Sequence, residues 1–398
     1  MIIGILVILV FFFSFAYMRK ENFLKYIIIG TILRISVIAI YLSGVKIPES
    51  QGDAKNFLYE GLVYFRYLFY SGDHIKTINP YSNLIGLTMV YSGENVGFAL
   101  FLNTLCYIMI SATIYEIIKL ITSNNKKVAL RAVIIITFFP MDILYSAVLL
   151  REQFIILFLV LSFWFLIRFI KNGIFFEFLI SVGLHLMAMI FHSGILFLLI
   201  VHLYTLLFFK KKKRQSRLKW KKVLKFGVLG IILFKILGHF KKFAFLTKMF
   251  DINYLNHILI GRFLVGTGAG RTVYLTSFIP SNIFIFAIYL PIRMIYFLFS
   301  PFPWMMGNVS DVIVFVDGFI YLILVVRAVR RLEFLEEKIR KTILLYFIAF
   351  TLVFSIGTTN YGTAMRHRHK ILWLIAIVAV LPKYKNIRIL EAEKEITQ

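Results

Sequence analysis

Long apolar runs bounded by lysine and arginine constrain the fold of this chain more than any other feature. The run from Ala132 to Phe169 is nearly all apolar. At about 1.5 Å per residue, a single helix of that length would be far longer than a bilayer core of about 30 Å. The run must therefore form two spans. Its ends are basic, with Arg131 before it and Arg168 and Lys171 at its close, so we expect the turn between the spans to face outside.

The composition indicates a polytopic membrane protein. The 398 residues are 60% hydrophobic and 17% aromatic, and the mean hydropathy is +0.85, a value that soluble globular domains do not approach. The formal charge is +26. The basic residues lie between the apolar runs rather than on one soluble face, which argues against nucleic acid as a partner and fits the positive-inside bias. Cys106 is the single cysteine, so the chain has no disulfide framework and no thiolate metal cluster.

The apolar runs predict one integral membrane domain over 1–398, all-α, with about eleven transmembrane helices. Met1 to Tyr17 lacks a basic n-region, so we interpret it as a first span that starts outside rather than as a cleaved signal. The range 44–95 is the predicted first outer loop, and 210–225 is the predicted basic cytoplasmic loop. The C-terminus is expected in the cytoplasm.

The range 240–310 allows two placements. We expect it to lie outside, which requires a re-entrant or in-plane helix from Asn282 to Ser300, because the basic residues from Arg327 onward must be cytoplasmic. The alternative keeps Phe240 to Ser281 inside.

Several charged residues fall on the predicted outer face, against the bias that keeps cations inside. The stretch from Gly357 to Lys370 reads GTTNYGTAMRHRHK between two apolar runs, and guanidinium groups there match phosphate oxygens. The alternative is a set of snorkelling cations that bind lipid headgroups. If the stretch is helical, Arg366 and Lys370 share one face. The residues that we expect to bind substrate are Arg151, Glu152, Arg262, Arg271, Asn360, Arg366, His367, Arg368 and Lys370.

Two residues are candidates for catalysis. Asp53 opens the predicted interfacial helix of the first outer loop, where a carboxylate could serve as general base to a sugar hydroxyl or could simply cap the helix. His192 lies at a predicted outer bend and could act as a base, donate to a phosphate oxygen, or be an ordinary interfacial residue. Glu152 could equally belong to a structural ion pair. The sequence has no H-E-x-x-H, D-x-D or P-loop motif, so we expect no metal and no cofactor.

Several short motifs together resemble a known family. Arg151-Glu152 opens a span, Phe191-His192-Ser193-Gly194 forms a bend, Gly52-Asp53-Ala54 lies in the first outer loop, and Asn360-Tyr361-Gly362 leads into Arg366-His367-Arg368. This order resembles the Wzy/EpsG-like bacterial polysaccharide polymerases.

The resemblance implies a C-type glycosyltransferase architecture. It also implies that the chain joins undecaprenyl-diphosphate-linked oligosaccharide repeat units into capsule, O-antigen or exopolysaccharide at the outer face of the bacterial cytoplasmic membrane. Arg151, His192, Arg262, Arg366 and Arg368 would then bind the diphosphate or the acceptor, and Asp53 would be the candidate base. The lipid bilayer, a flippase and a chain-length regulator are the implied partners.

Two other functions fit the same sequence. One is a glycosyltransferase that takes single sugars from a lipid monophosphate and would modify a glycan without lengthening it. The other is a flippase or transporter of lipid-linked oligosaccharide, although such proteins often show repeated halves, and no internal repeat is evident here.

Overall fold

A computed structural model describes residues 22–70, 79–209, 271–276 and 282–382 of the chain. The helices of this part are α1 (Phe23–Leu42), α2 (Asp53–Tyr70), α3 (Pro80–Ser92), α4 (Val96–Ile121), α5 (Lys126–Phe138), α6 (Pro140–Tyr145), α7 (Glu152–Asn172), α8 (Phe175–Phe191), α9 (Leu199–Phe208), α10 (Ile283–Phe299), α11 (Val309–Val329), α12 (Glu337–Gly357), α13 (Tyr361–His369) and α14 (Leu372–Ala379). Three short 3₁₀ turns accompany them, Ser193–Leu198, Pro303–Met305 and Leu332–Phe334.

The helices confirm the expected all-α, polytopic membrane class. Five are long and apolar enough to cross a bilayer, and they are Phe23–Leu42, Val96–Ile121, Glu152–Asn172, Asp311–Val329 and Glu337–Gly357. Shorter apolar helices add to them at Phe175–Phe191, Ser193–Phe208 and Phe284–Phe299. The predicted first span, the 210–225 loop, most of 240–281 and the chain after 382 lie outside the described residues. The total of about eleven spans and the orientation of the termini therefore stay predictions.

The long apolar run from Ala132 to Phe169 is broken, as its length requires. Helix α5 ends at Phe138, Pro140 begins the short helix α6, and α7 begins at Glu152. The irregular segment between α6 and α7 is buried. Its carbonyls at Val148 and Leu150 accept hydrogen bonds from the Asn103 side chain of α4, at 2.6 and 3.1 Å. Non-helical backbone at this depth is tolerated because the protein satisfies its polar groups.

Helix α10 ends at buried residues, and the expected re-entrant placement of this segment stays a prediction. Its last carbonyls, at Leu298 and Ser300, accept hydrogen bonds from the buried Arg368 guanidinium at 3.1 and 2.7 Å. After Ser300 the chain leads to α11, where Asp311 lies beside the first residue of α13, Tyr361. Arg368 thus replaces the solvent that would otherwise satisfy the end of a helix.

A short break separates α13 from α14. α13 ends at His369, and α14 resumes at Leu372. At its far end the carbonyl of Ala379 accepts a hydrogen bond from Arg327 Nε of α11 at 2.8 Å. Lys370 lies at this break, and its side chain is buried. The charged end of α13 therefore faces the preceding helices.

Helices α2 and α3 cross closely at two glycines. A Cβ atom built on Gly86 would lie 2.7 Å from the Gly61 carbonyl oxygen, and one built on Gly61 would lie 2.7 Å from Ile85 Cγ2. Small residues allow helices to approach this closely in membranes. The crossing matters for function because α2 carries Asp53 at its first position.

Substitution of Gly86 by alanine is expected to destabilise the protein. The new methyl group would contact a backbone oxygen that cannot turn away, and overpacking of this kind costs about 1–3 kcal/mol. Gly183 of α8 provides a matched control, because a Cβ there meets no atom within 4 Å. Thermal unfolding of both variants in detergent tests this expectation, and equal melting temperatures for Gly86→Ala and Gly183→Ala would contradict it.

Candidate functional site

Four charged side chains meet where the beginnings of α2 and α7 lie beside the end of α13. Arg366 Nη1 lies 2.7 Å from Asp53 Oδ2, and Arg366 Nε lies 3.3 Å from Glu152 Oε1. Lys370 Nζ lies 3.5 Å from the same Glu152 oxygen. We call Asp53, Glu152, Arg366 and Lys370 the charged cluster. It holds two cations and two carboxylates, so its formal charge is zero.

The members of the charged cluster differ in exposure. The Asp53 side chain is 45% exposed and that of Arg366 is 15% exposed, whereas Glu152 and Lys370 are 1% and 0% exposed. A ligand can therefore reach Asp53 but cannot touch Glu152 without displacing its neighbours. Asp53 is thus the accessible carboxylate of the charged cluster, and Glu152 and Lys370 form its buried ion pair.

Local sequence explains why these residues meet. Asp53 and Glu152 are the first residues of their helices, where a carboxylate interacts favourably with the positive end of the helix dipole. Asn360 caps α13, since its Oδ1 accepts a hydrogen bond from the Thr363 N–H at 2.8 Å. From that start, Arg366 and Lys370 fall four residues apart on one face, as the sequence predicted.

A polar cleft opens beside the charged cluster. The cleft is lined by Asn79, Pro80, Arg151, Ile190, Phe191, His192 and Ser193. The Arg151 guanidinium carbon lies 5.5 Å from the centre of the Phe57 ring, and Phe57 is one helical turn after Asp53 on the same face of α2. The polar cleft and Asp53 are therefore neighbours.

Arg151 is the cation of the polar cleft. In the described part of the chain it forms no salt bridge, and its buried Nε has no hydrogen-bond partner. A guanidinium with unused donors at the wall of a cleft is suited to bind an anion, and its planar fork matches a phosphate or carboxylate.

The His192 side chain has a fixed tautomer when it is neutral. Its Nδ1 accepts a hydrogen bond from the Gly194 N–H at 3.2 Å. Because that nitrogen is an acceptor, the proton of the neutral ring lies on Nε2, which makes Nε2 a donor. The arrangement favours His192 as a hydrogen-bond donor at the cleft wall over the general base that we also considered.

His367 lies behind His192 rather than in the cleft. The two rings are edge to face with centroids 5.3 Å apart, and Phe354 packs 4.8 Å from His367. Lys370 Nζ lies 2.6 Å from His367 Nδ1. His367 thus links the charged cluster to the cleft wall through protein contacts.

Glu49, just before α2, is a further carboxyl group at this site. Burial raises the pKa of Glu49 above its usual value, Arg366 opposes the shift, and the carboxylates of Glu152 and Asp53 add to it. Glu49 also has a positive φ of 62°, which is uncommon for a residue other than glycine. A lone glutamate in an outer loop carries no signal in the sequence that would identify it.

Arg368 and Arg271, both expected to bind substrate, interact with other protein groups. Arg368 is buried, pairs with Asp317 at 3.1 Å and caps α10. Arg271 pairs with Asp311 and lies 3.3 Å from the Tyr361 hydroxyl. Its neighbour Val273 forms a β-bridge with Asn360. These contacts favour structural roles, and direct contact with substrate stays a prediction for both. Arg262 lies outside the described residues.

A second buried network of charged and polar side chains lies close to the charged cluster. Arg34 of α1 pairs with Asp142 of α6. His369 Nε2 lies 3.0 Å from Asp142 Oδ1, and the Gln153 side chain donates to the same oxygen at 3.2 Å. Asp142 is itself buried. An arginine such as Arg34 inside an apolar span is itself the signal for such a partner.

The comparisons with known proteins agree with a membrane enzyme that acts on sugars. The model of the dolichyl-phosphate-mannose-protein mannosyltransferase family matches residues 81–239. The match includes Arg151, Glu152 and His192 and leaves out Asp53 and the 357–370 stretch. No curated protein matches the chain significantly. The family match supports the broader prediction of a membrane glycosyltransferase with a C-type fold, and the narrower prediction of a polysaccharide polymerase stays a prediction.

Proposed function

We propose that the chain is a membrane glycosyltransferase that transfers a sugar from a lipid-linked phosphate donor to an acceptor hydroxyl. The observation that carries this proposal is that, among the described residues, an unpaired cation and an accessible carboxylate lie close together. Arg151, a cation with unused donors, lines the polar cleft, and the accessible carboxylate Asp53 is adjacent to it. An anion site beside a base is what such a transfer needs.

On the donor side, Arg151 would bind the phosphate, with the Nε2–H of His192 as a second donor. When the bond between the anomeric carbon and the phosphate oxygen breaks, the electron pair stays on that oxygen. A guanidinium already in place stabilises the charge that develops there without reorganising. The apolar residues Ile190 and Phe191 of the same cleft suit the lipid end of the donor.

On the acceptor side, Asp53 would take the hydroxyl proton as the acceptor oxygen attacks the anomeric carbon. Arg366 holds the Asp53 carboxylate from one side. The carboxylate is half exposed, so an acceptor can approach it. General-base catalysis of this kind contributes about 10²–10⁴-fold in rate.

The donor that we propose is a sugar on a lipid monophosphate. The family match names a dolichyl-phosphate-mannose-dependent enzyme, and Arg151 is the cation of the cleft that is free of a carboxylate partner among the described residues. The second candidate is the polymerase that acts on undecaprenyl-diphosphate-linked repeat units, which the placement of Arg151 and His192 in one cleft also supports.

A transfer assay tests the proposal and separates the two candidates. The purified protein in lipid nanodiscs would receive tritium-labelled mannosyl polyprenyl phosphate together with a bacterial glycolipid extract as acceptor. We expect label in the glycolipid fraction and release of polyprenyl phosphate. A silver-stained ladder of the glycan, compared between deletion and parent strains, would show modified bands for single-sugar transfer and loss of the long chains for a polymerase. If the protein neither transfers the label nor changes the ladder, the proposal is wrong.

His192 variants test its assigned role. We expect His192→Gln to keep most of the activity because an amide N–H can replace the Nε2 donor, whereas His192→Ala loses about 10-fold or more, as expected for a lost hydrogen bond to a charged group of about 1.5–3 kcal/mol. Initial rates at saturating donor are the measurement. Equal losses in the two variants would indicate that His192 is a base, since glutamine cannot accept the proton.

A further inference from the structure

The buried part of the charged cluster has a role beyond binding. We infer that Glu152 is a positioning residue, which sets the place of Arg366 and thereby that of the Asp53 carboxylate, and that it does not contact substrate. The inference rests on the proposed function of Asp53, and it replaces the expectation that Glu152 binds substrate.

Burial excludes Glu152 as a direct ligand in this arrangement. Its side chain is 1% exposed, whereas Asp53, on the other side of Arg366, is 45% exposed. A carboxylate also would repel the phosphate that the neighbouring Arg151 is suited to bind. Glu152 therefore acts through the cations that it contacts.

One carboxylate serves two cations. Glu152 Oε1 lies 3.3 Å from Arg366 Nε and 3.5 Å from Lys370 Nζ. Because Arg366 and Lys370 occupy successive turns of one helix face, a single oxygen from α7 fixes the rotation of α13 at this level. A buried charge without its partner is strongly unfavourable, so the three groups depend on one another.

Arg366 passes this constraint on to Asp53. Its Nη1 is 2.7 Å from Asp53 Oδ2, while its Nε faces Glu152. With Glu152 in place, the guanidinium lies between two carboxylates and is attracted to both. Without Glu152, Arg366 has Asp53 as its remaining carboxylate partner in the charged cluster. The base would then be held more tightly and at a different position.

The experiment uses two variants and a matched control in the nanodisc transfer assay. We expect Glu152→Gln to lower kcat about 10²-fold, the effect of a misplacement of about 1 Å, while the KM for mannosyl polyprenyl phosphate stays within about threefold because the cleft residues are unchanged. The control is Glu177→Gln, which removes another buried carboxylate from an arginine pair, Arg168 Nε–Glu177 Oε1 at 2.7 Å. It should lower stability and leave kcat unchanged.

A second variant separates positioning from stability. Glu152→Gln with Lys370→Met removes both buried charges, so we expect the melting temperature to recover and kcat to stay low. Recovery of kcat together with stability would show a structural role alone, and a raised KM at unchanged kcat would show a substrate ligand. Either result overturns the inference.

Failure of the proposed function would be recognised separately, because the wild-type protein would then transfer no sugar. In that case a double-mutant cycle in thermal unfolding decides the inference. Asp53→Asn and Glu152→Gln should be non-additive, since both carboxylates act on Arg366. Additive effects would contradict the coupling.

Discussion

Asp53→Asn is expected to abolish most sugar transfer while the protein still folds. The amide cannot take the acceptor proton, so the rate should fall by about 10²–10⁴-fold, the contribution typical of a general base. Binding of the lipid donor should persist because Arg151 and His192 are untouched. The measurement is the initial rate of label transfer in nanodiscs, together with the amount of donor bound.

A matched substitution in the same helix provides the control. Glu60 of α2 accepts a hydrogen bond from the Ser82 hydroxyl at 2.7 Å and lies two turns beyond Asp53. Glu60→Gln should therefore leave transfer near the wild-type rate. Full activity of Asp53→Asn would remove the carboxylate from the mechanism, and with it the acceptor half of the proposed function.

Arg368→Met is expected to have the largest effect on stability. The substitution leaves Asp317 buried without its cation and removes both hydrogen bonds that Arg368 Nη1 donates to the end of α10. Breaking a buried ion pair by removing one partner costs about 3–5 kcal/mol, and the lost caps add to this. We expect little folded protein in detergent, measured by monodisperse yield and by thermal unfolding.

Arg271→Met is the contrasting variant. Arg271 also pairs with a buried carboxylate, Asp311, but its own side chain is half exposed. Asp311 would still accept hydrogen bonds from Tyr361, Gly307 and Asn308. The loss should therefore be small. If Arg368→Met folds normally and loses only transfer, Arg368 is a substrate ligand and the structural assignment is wrong.

The class of the fold followed from the sequence because hydropathy is a local property. The apolar run beginning at Ala132 had to break, and it does so at Phe139–Pro140. The shared face of Arg366 and Lys370 followed equally directly, since helical periodicity fixes it once α13 forms. Both inferences need only residues that are close together along the chain.

The ion-pair partners of Arg366 and Lys370 could not be predicted from the local sequence. Asp53, Glu152 and Arg366 are far apart in the sequence, and nothing local indicates that the beginnings of α2 and α7 lie beside the last turn of α13. The same limit applies to Arg366 and Arg368, which the sequence assigns alike to substrate binding although they are two residues apart on a helix. One faces the accessible carboxylate, and the other faces Asp317 and the end of α10. Sequence shows that a cation is present, but packing decides what it pairs with.

The broken helix α13–α14 has a consequence for how the protein is made. Its cations Arg366 and Lys370 and its His369 find their carboxylates, Asp53, Glu152 and Asp142, in segments that leave the ribosome much earlier. Since isolated charges are costly within the bilayer, the carboxylates of the earlier segments lack these partners until α13 is inserted. The carboxylates of α2 and α7 are thus synthesised before the α13 cations that complete the proposed site.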